Sequence, residues 1–85
     1  MIPRFAPGVR LQHDRARDRW VVMAPERMFI PDETALAVLR LIDGERDLAA
    51  IVDALAAQFA APREVIAADV EAMIADLRAR GALIA

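Results

Sequence analysis

The feature that most constrains this chain is a change of hydrophobic period at Pro31–Asp32. Before it, apolar residues recur every second position or in short β-branched runs. After it, they recur every third or fourth. A side-chain period of two belongs to a half-buried strand and a period near 3.6 to a helix packed on one face. The chain therefore predicts strands first and helices after, within one domain spanning 1–85. Eighty-five residues suffice for a modest core without disulfides or metals.

In the first part, "VRLQHD" alternates over Val9, Leu11 and His13, "DRARDR" is a polar turn, and "RWVVMA" is rich in Val and Trp. Pro25 ends that run, and "RMFI" is a short strand closed by Pro31. The expectation is a three-stranded antiparallel meander, or a hairpin plus a short edge strand, over residues 9–30.

In the second part, Asp32 is a good N-cap for a helix over 32–43 with Leu36, Leu39 and Ile42 on one face, and Gly44 is its expected left-handed stop. Asp47 caps a second helix, 47–59, striped by Leu48, Ile51, Val52, Leu55 and Phe59. Pro62 opens a third, 62–80, carrying Ile66, Val70, Met73, Ile74 and Leu77 and stopped by Gly81. "ALIA" is a last apolar tail that can dock on the sheet. "MIPRFAP" reads as an apolar, mobile segment able to fill the groove of a second copy, so a homodimer is expected. The fold class is α+β, winged-helix-like, a three-stranded antiparallel sheet followed by three α-helices.

Helix, glycine, short turn, helix is also the grammar of a DNA-binding helix-turn-helix. Charge argues against that use. Residues 1–27 hold six Arg and three acids, a net +3, while residues 28–85 hold five Arg and ten acids, a net −5. The second helix has no cation at all, and phosphate binding rests on Lys and Arg. Arg15, Arg17 and Arg19 are interleaved with Asp14 and Asp18, the pattern of a solvated hairpin turn. No nucleic acid is expected, and a winged-helix regulator that binds DNA or another protein is the alternative reading.

Missing residue types narrow the chemistry further. The chain has no Ser, Cys, Lys, Tyr or Asn, one hydroxyl (Thr34) and one imidazole (His13). An activated nucleophile beside a base, or a set of zinc ligands, is hard to assemble from that list. No enzyme, metal or cofactor is expected. No apolar run approaches the ~18 residues a membrane span needs, and "MIPRFAPGVR" has no apolar core of a signal peptide, so a cytoplasmic, membrane-free protein is the expectation.

What remains is binding. An edge strand is a row of unpaired N–H and C=O groups to which a peptide can add as a further strand. If Arg27, Met28, Phe29 and Ile30 form that edge, the third helix can wall the groove with Asp69, Val70, Met73 and Leu77. The same residues could equally pack helix on sheet, and composition leaves both readings open. Either side of the third helix could face the groove: Met73 leans toward Asp69, Asp76 and Arg80, Ile74 toward Arg78.

The order and spacing of "RWVVMAPE", "DETALAVLRLIDG", "AAIVDALAAQF" and "DVEAMIADLRARGAL" resemble the pyrroloquinoline quinone (PQQ) biosynthesis protein D family (PqqD) over Pro7 to Ile84. The resemblance implies a non-catalytic chaperone that binds the precursor peptide PqqA and presents it to the radical S-adenosylmethionine enzyme PqqE. It implies a leader lying as a strand between the third strand and the third helix. The chain departs from the family pattern at Ile30–Pro31–Asp32, where many members have Leu-Asn. Proline removes an amide donor there.

Overall fold

The computed structural model describes residues 1–84. Element order is β1 (Arg4–Phe5), β2 (Arg10–Asp14), β3 (Arg19–Ala24), β4 (Arg27–Phe29), α1 (Glu33–Leu39), α2 (Leu48–Gln58), α3 (Arg63–Ala79) and β5 (Leu83–Ile84). Antiparallel strands followed by three helices make an α+β fold, as the change of period predicts. β2, β3 and β4 form the meander in that order, with Leu11 opposite Val22 and Val22 opposite Phe29. Two positive-φ residues turn the corners, Asp18 at 49° and Glu26 at 66°.

Register decides which side chains meet the helices. Leu11, Val22 and Phe29 share the inner face and join the core built from Val38, Leu39, Ile51, Leu55, Val70, Ile74 and Leu77. Trp20 lies two residues from Val22 on the same strand and takes the Arg40 guanidinium over its ring at 5.0 Å. Met23 and its partner Met28 fall on the outer face.

The caps follow local chemistry. Asp32 accepts from the Ala35 amide and Asp47 from the Ala50 amide, both at 2.8 Å; such caps are each worth about 1 kcal/mol. At the end of α3 the Ala82 amide reaches back to the Leu77 carbonyl and the Gly81 amide to Arg78, with Gly81 at φ 78°. That is a Schellman stop, and it buries Ala82 against the last turn.

α1 is shorter than expected. Its regular part ends at Leu39, and Leu41 and Ile42 donate to carbonyls only three residues back. The reason is the Asp43 side chain, which accepts from the Glu45 and Arg46 amides at 2.9 Å and organises a turn of its own. Gly44, at φ 78°, sits inside this turn rather than directly after the helix. Those two amides, Arg46's first, hold the Asp43 carboxyl below its ordinary value. Farther on, Arg63 bonds Asp53 at 2.8 Å and ties the start of α3 to α2.

The amino-terminal segment corrects an expectation. It is not a free arm: Arg4 pairs with Ile84 and Phe5 with Leu83 in a second, two-stranded sheet. Pro3 is fully buried, Ala6 donates to the Ala82 carbonyl, and the Met1 carbonyl accepts from Leu48 at the start of α2. The closing tail therefore docks on this segment and not on the main sheet. Its last residue, Ala85, lies outside the described residues.

Candidate functional site

β4 is three residues long and forms one edge of the meander. Pro25 precedes it and Pro31 follows it, so pairing cannot run far in either direction. α3 crosses the helix layer beside this edge. Between them lies a groove of about 600 Å³ lined by Phe29, Ile30, Pro31, Asp32, Thr34, Ala35, Asp69, Ala72, Met73, Asp76, Leu77 and Arg80, with Val22 and Leu39 beneath.

The helix wall has a simple origin. Residues 69, 73, 76 and 80 fall on one stripe of an α-helix at about 100° per residue, so the groove takes the Met73 side of α3. Ile74 is 1% exposed and belongs to the core. Met73 is half-buried and packs against that core from outside.

Five expected residues are brought together here: Phe29, Ile30, Asp69, Met73 and Leu77. Val70 is a core residue, 2% exposed, reached from the groove only through an adjoining apolar hollow. Two others lie outside the groove lining. Met28 is 47% exposed and pairs with Met23 on the outer face of the sheet, so it does not line the groove. Successive side chains on a strand point to opposite faces, and Met28 and Phe29 cannot enter one pocket. Arg27 also lies outside the lining: it donates to the Arg80 carbonyl and places its guanidinium 5.2 Å from the Phe29 ring centre. It thereby ties the start of β4 to the end of α3. Arg80 approaches the same ring at 5.9 Å and bonds Asp76 at 3.0 Å.

Several lining residues escaped the sequence reading. Pro31, Asp32, Thr34 and Ala35 come from the strand-to-helix junction, where the sequence marks Asp32 only as a cap. The adjoining hollow, about 220 Å³, is lined by Thr34, Ala37, Val38, Leu55, Phe59, Ala61, Val65, Ile66, Asp69, Val70 and Met73. Phe59 and Val65 stand 46% and 51% exposed at its mouth. Their exposure rests on how α2 meets α3, a tertiary fact that the helical stripe of Phe59 concealed. Thr34, Asp69 and Met73 border both spaces, so groove and hollow form one continuous depression.

Chemically the depression offers main-chain pairing along one side, apolar contact on its floor and charge at its ends. On the far side of the sheet, Arg17 and Arg19 bond Asp14 at 3.4 and 3.7 Å. The arginine cluster of the hairpin is thus partly neutralised within its own turn.

A short antiparallel meander beside three helices, with the β4 edge facing α3 across a groove, defines a small α+β domain. The chain belongs to the coenzyme PQQ synthesis protein D (PqqD) family, whose model matches residues 19–83. It is 51% identical over 79 residues to a PqqA binding protein of Gluconobacter oxydans, covering 93% of this chain and 82% of that protein. It is equally identical, over 83 residues, to one from Rhodopseudomonas palustris, covering 98% and 78%. Among solved structures, the PqqD part of Methylobacterium extorquens PqqCD, described as a stand-alone recognition element for ribosomally synthesized and post-translationally modified peptides, superposes with a TM-score of 0.80 at 38% identity, covering 98% of this chain and 88% of that one. A lasso peptide synthetase B1 solved with its leader peptide also reaches 0.80, but at 21% identity, covering 100% of both chains; that likeness concerns the fold alone.

Proposed function

We propose that this protein is a non-catalytic carrier of the precursor peptide PqqA in PQQ biosynthesis, that the peptide adds as a strand along β4, and that the protein presents it to the radical enzyme PqqE in the cytoplasm. One observation supports this reading above the rest: the meander leaves β4 open on the side where α3 and the α1 junction form an apolar groove. Strand addition needs both features. Main-chain hydrogen bonds supply register and affinity for any sequence, and side-chain pockets supply choice. The names of the relatives in Gluconobacter and Rhodopseudomonas point to the ligand. A membrane is not needed for this role, and no helix among the described residues is long and apolar enough to cross one.

The test is titration of isotope-labelled protein with the cognate precursor peptide, followed through amide shifts. Phe29, Ile30, Asp69, Met73 and Leu77 should move together at a common midpoint. Shifts confined to α2, or to the hairpin at Arg15–Asp18, would place the peptide elsewhere and discard the groove. A second titration, with PqqE added to the preformed complex, checks presentation: a further set of shifts outside the groove is expected.

A further inference from the structure

The groove is electrically polar along its length, and this polarity rests on the same two walls as the proposed peptide site. β4 and α3 run in opposite directions: Arg27 at the start of the strand bonds the Arg80 carbonyl at the end of the helix, while Thr34, beyond the end of the strand, borders both groove and hollow together with Asp69 in the first half of the helix. That end carries the guanidinium groups of Arg27 and Arg80, of which Asp76 neutralises one. Arg27 has no carboxylate within salt-bridge distance among the described residues. The opposite end carries the carboxylates of Asp69 and Asp32, the second already accepting from the Ala35 amide. Neither has a cation partner among the described residues. Between them lie Phe29, Ile30, Met73 and Leu77. The net result is about one positive charge at one end and two negative charges at the other.

We infer that this polarity selects the charge order of the bound peptide, and with it the direction in which the peptide lies. The occupant is a segment with a basic residue at the Asp69 end, an acidic residue at the Arg27–Arg80 end and apolar residues between. Spacing follows from geometry. Asp69 and Arg80 are eleven residues apart on one helix face, about 16 Å at about 1.5 Å per residue. An extended peptide covers that length in about five residues at about 3.3 Å each. Both charged side chains must point into the groove, and side chains alternate, so the separation is even: about four or six residues. Antiparallel pairing, which every strand pair in this fold uses, runs opposite to β4 and so starts at the Asp69 end. The basic residue therefore comes first in the peptide and the acidic residue later.

This inference rests on the groove being the peptide site, and the experiment separates the two claims. The probes are two synthetic peptides of one composition with blocked termini and alternating valines. One has an arginine about four residues before a glutamate; in the other the two charges are exchanged. Each is titrated into the protein at low and high salt, alongside the cognate precursor. The arginine-first probe should bind about fivefold more tightly at low salt, the scale of two exposed ion pairs. The preference should shrink as salt screens it. Asp69→Asn, an exposed substitution that leaves the core untouched, should reduce the preference. The inference is overturned if the probes bind equally, if glutamate-first is preferred, or if neither binds, while the precursor still moves Phe29 and Met73. In those cases the groove reading survives. If the precursor itself leaves Phe29 and Met73 unmoved, the groove reading falls and the charge order falls with it.

Discussion

Two edges of this molecule meet opposite fates. Both are made of very short strands, β1 with β5 at the chain ends and β4 at the margin of the meander. The ends are paired and packed: Arg4 with Ile84, Phe5 with Leu83, Pro3 buried and Leu83 only 2% exposed. β4, like β1 and β5, has a strand partner on one side alone, but here Met28 and Ile30 stand 47% and 57% exposed beside an apolar groove. An unpaired edge is normally a liability that a protein covers, shortens or charges. Here the chain pairs its two ends with each other over two residues and keeps β4 short between two prolines. The difference teaches where a partner can enter. The terminal ribbon is packed into the fold, while β4 borders the groove proposed for the peptide.

The largest effect comes from breaking the closed edge. Leu83→Asp places an unpaired carboxylate in the core and should cost about 3 kcal/mol or more of stability. Chemical denaturation reads the loss, and the residual folded fraction should still shift at Phe29 and Met73 with peptide. An unfolding midpoint unmoved by this change would mean that the ribbon is decorative.

Next is the open edge. Met73→Asp puts a charge on the groove wall at a half-buried site and should weaken peptide binding by about 1–2 kcal/mol, measured by calorimetry. Stability should change less than in Leu83→Asp. A binding loss that merely tracks unfolding would erase the distinction between the two regions.

The two faces of β4 sharpen the comparison further. Met28→Ala alters the outer face and should change affinity by less than about 0.5 kcal/mol, since exposed positions outside a pocket contribute little. A loss as large as that of Met73→Asp would show that the peptide wraps the outer face.

The smallest effect belongs to neither edge. The Asp43 carboxyl is held below its ordinary value of 3.8, first by the Arg46 amide and then by the Glu45 amide, aided by the Arg46 guanidinium and opposed by partial desolvation. A carboxyl with a lowered native pKa stabilises the fold above its ordinary value, and that contribution is lost as pH falls through the native value. Acid titration should therefore show a small loss of stability below pH 4 that is smaller in Asp43→Asn, the remainder including Asp14, whose carboxyl is also lowered. A loss undiminished in Asp43→Asn would assign it wholly to other carboxylates.

Legibility in the sequence followed the range of the interactions. Asp32, Asp47 and Gly81 act on residues three to five positions away, and their roles were readable because the partners are local. The period change at Pro31 likewise set the order of strands and helices. The β1–β5 ribbon was not readable: each strand has two residues, too few for any period, and they meet across almost the whole chain. Prolines at 3 and 7 also suggested irregular backbone, whereas Pro3 is a buried packing residue. α1 was read too long because the Leu36–Leu39–Ile42 stripe continues into the Asp43 turn, which keeps Ile42 buried without a regular helix. In the groove, the sequence places Met28 and Phe29 together on the β4 edge, and strand parity turns Met28 to the outer face. The charge of the groove ends needed the tertiary placement of β4 against α3.

The central claim is that β4, and not the terminal ribbon, receives the peptide. Amide hydrogen exchange with and without the cognate precursor tests it most directly, because a strand that gains a partner gains protected amides. The account predicts added protection within Arg27–Ile30 on saturation and unchanged exchange at Phe5 and Leu83. Protection gained at Phe5, Leu83 or α2 with none within Arg27–Ile30 would contradict it.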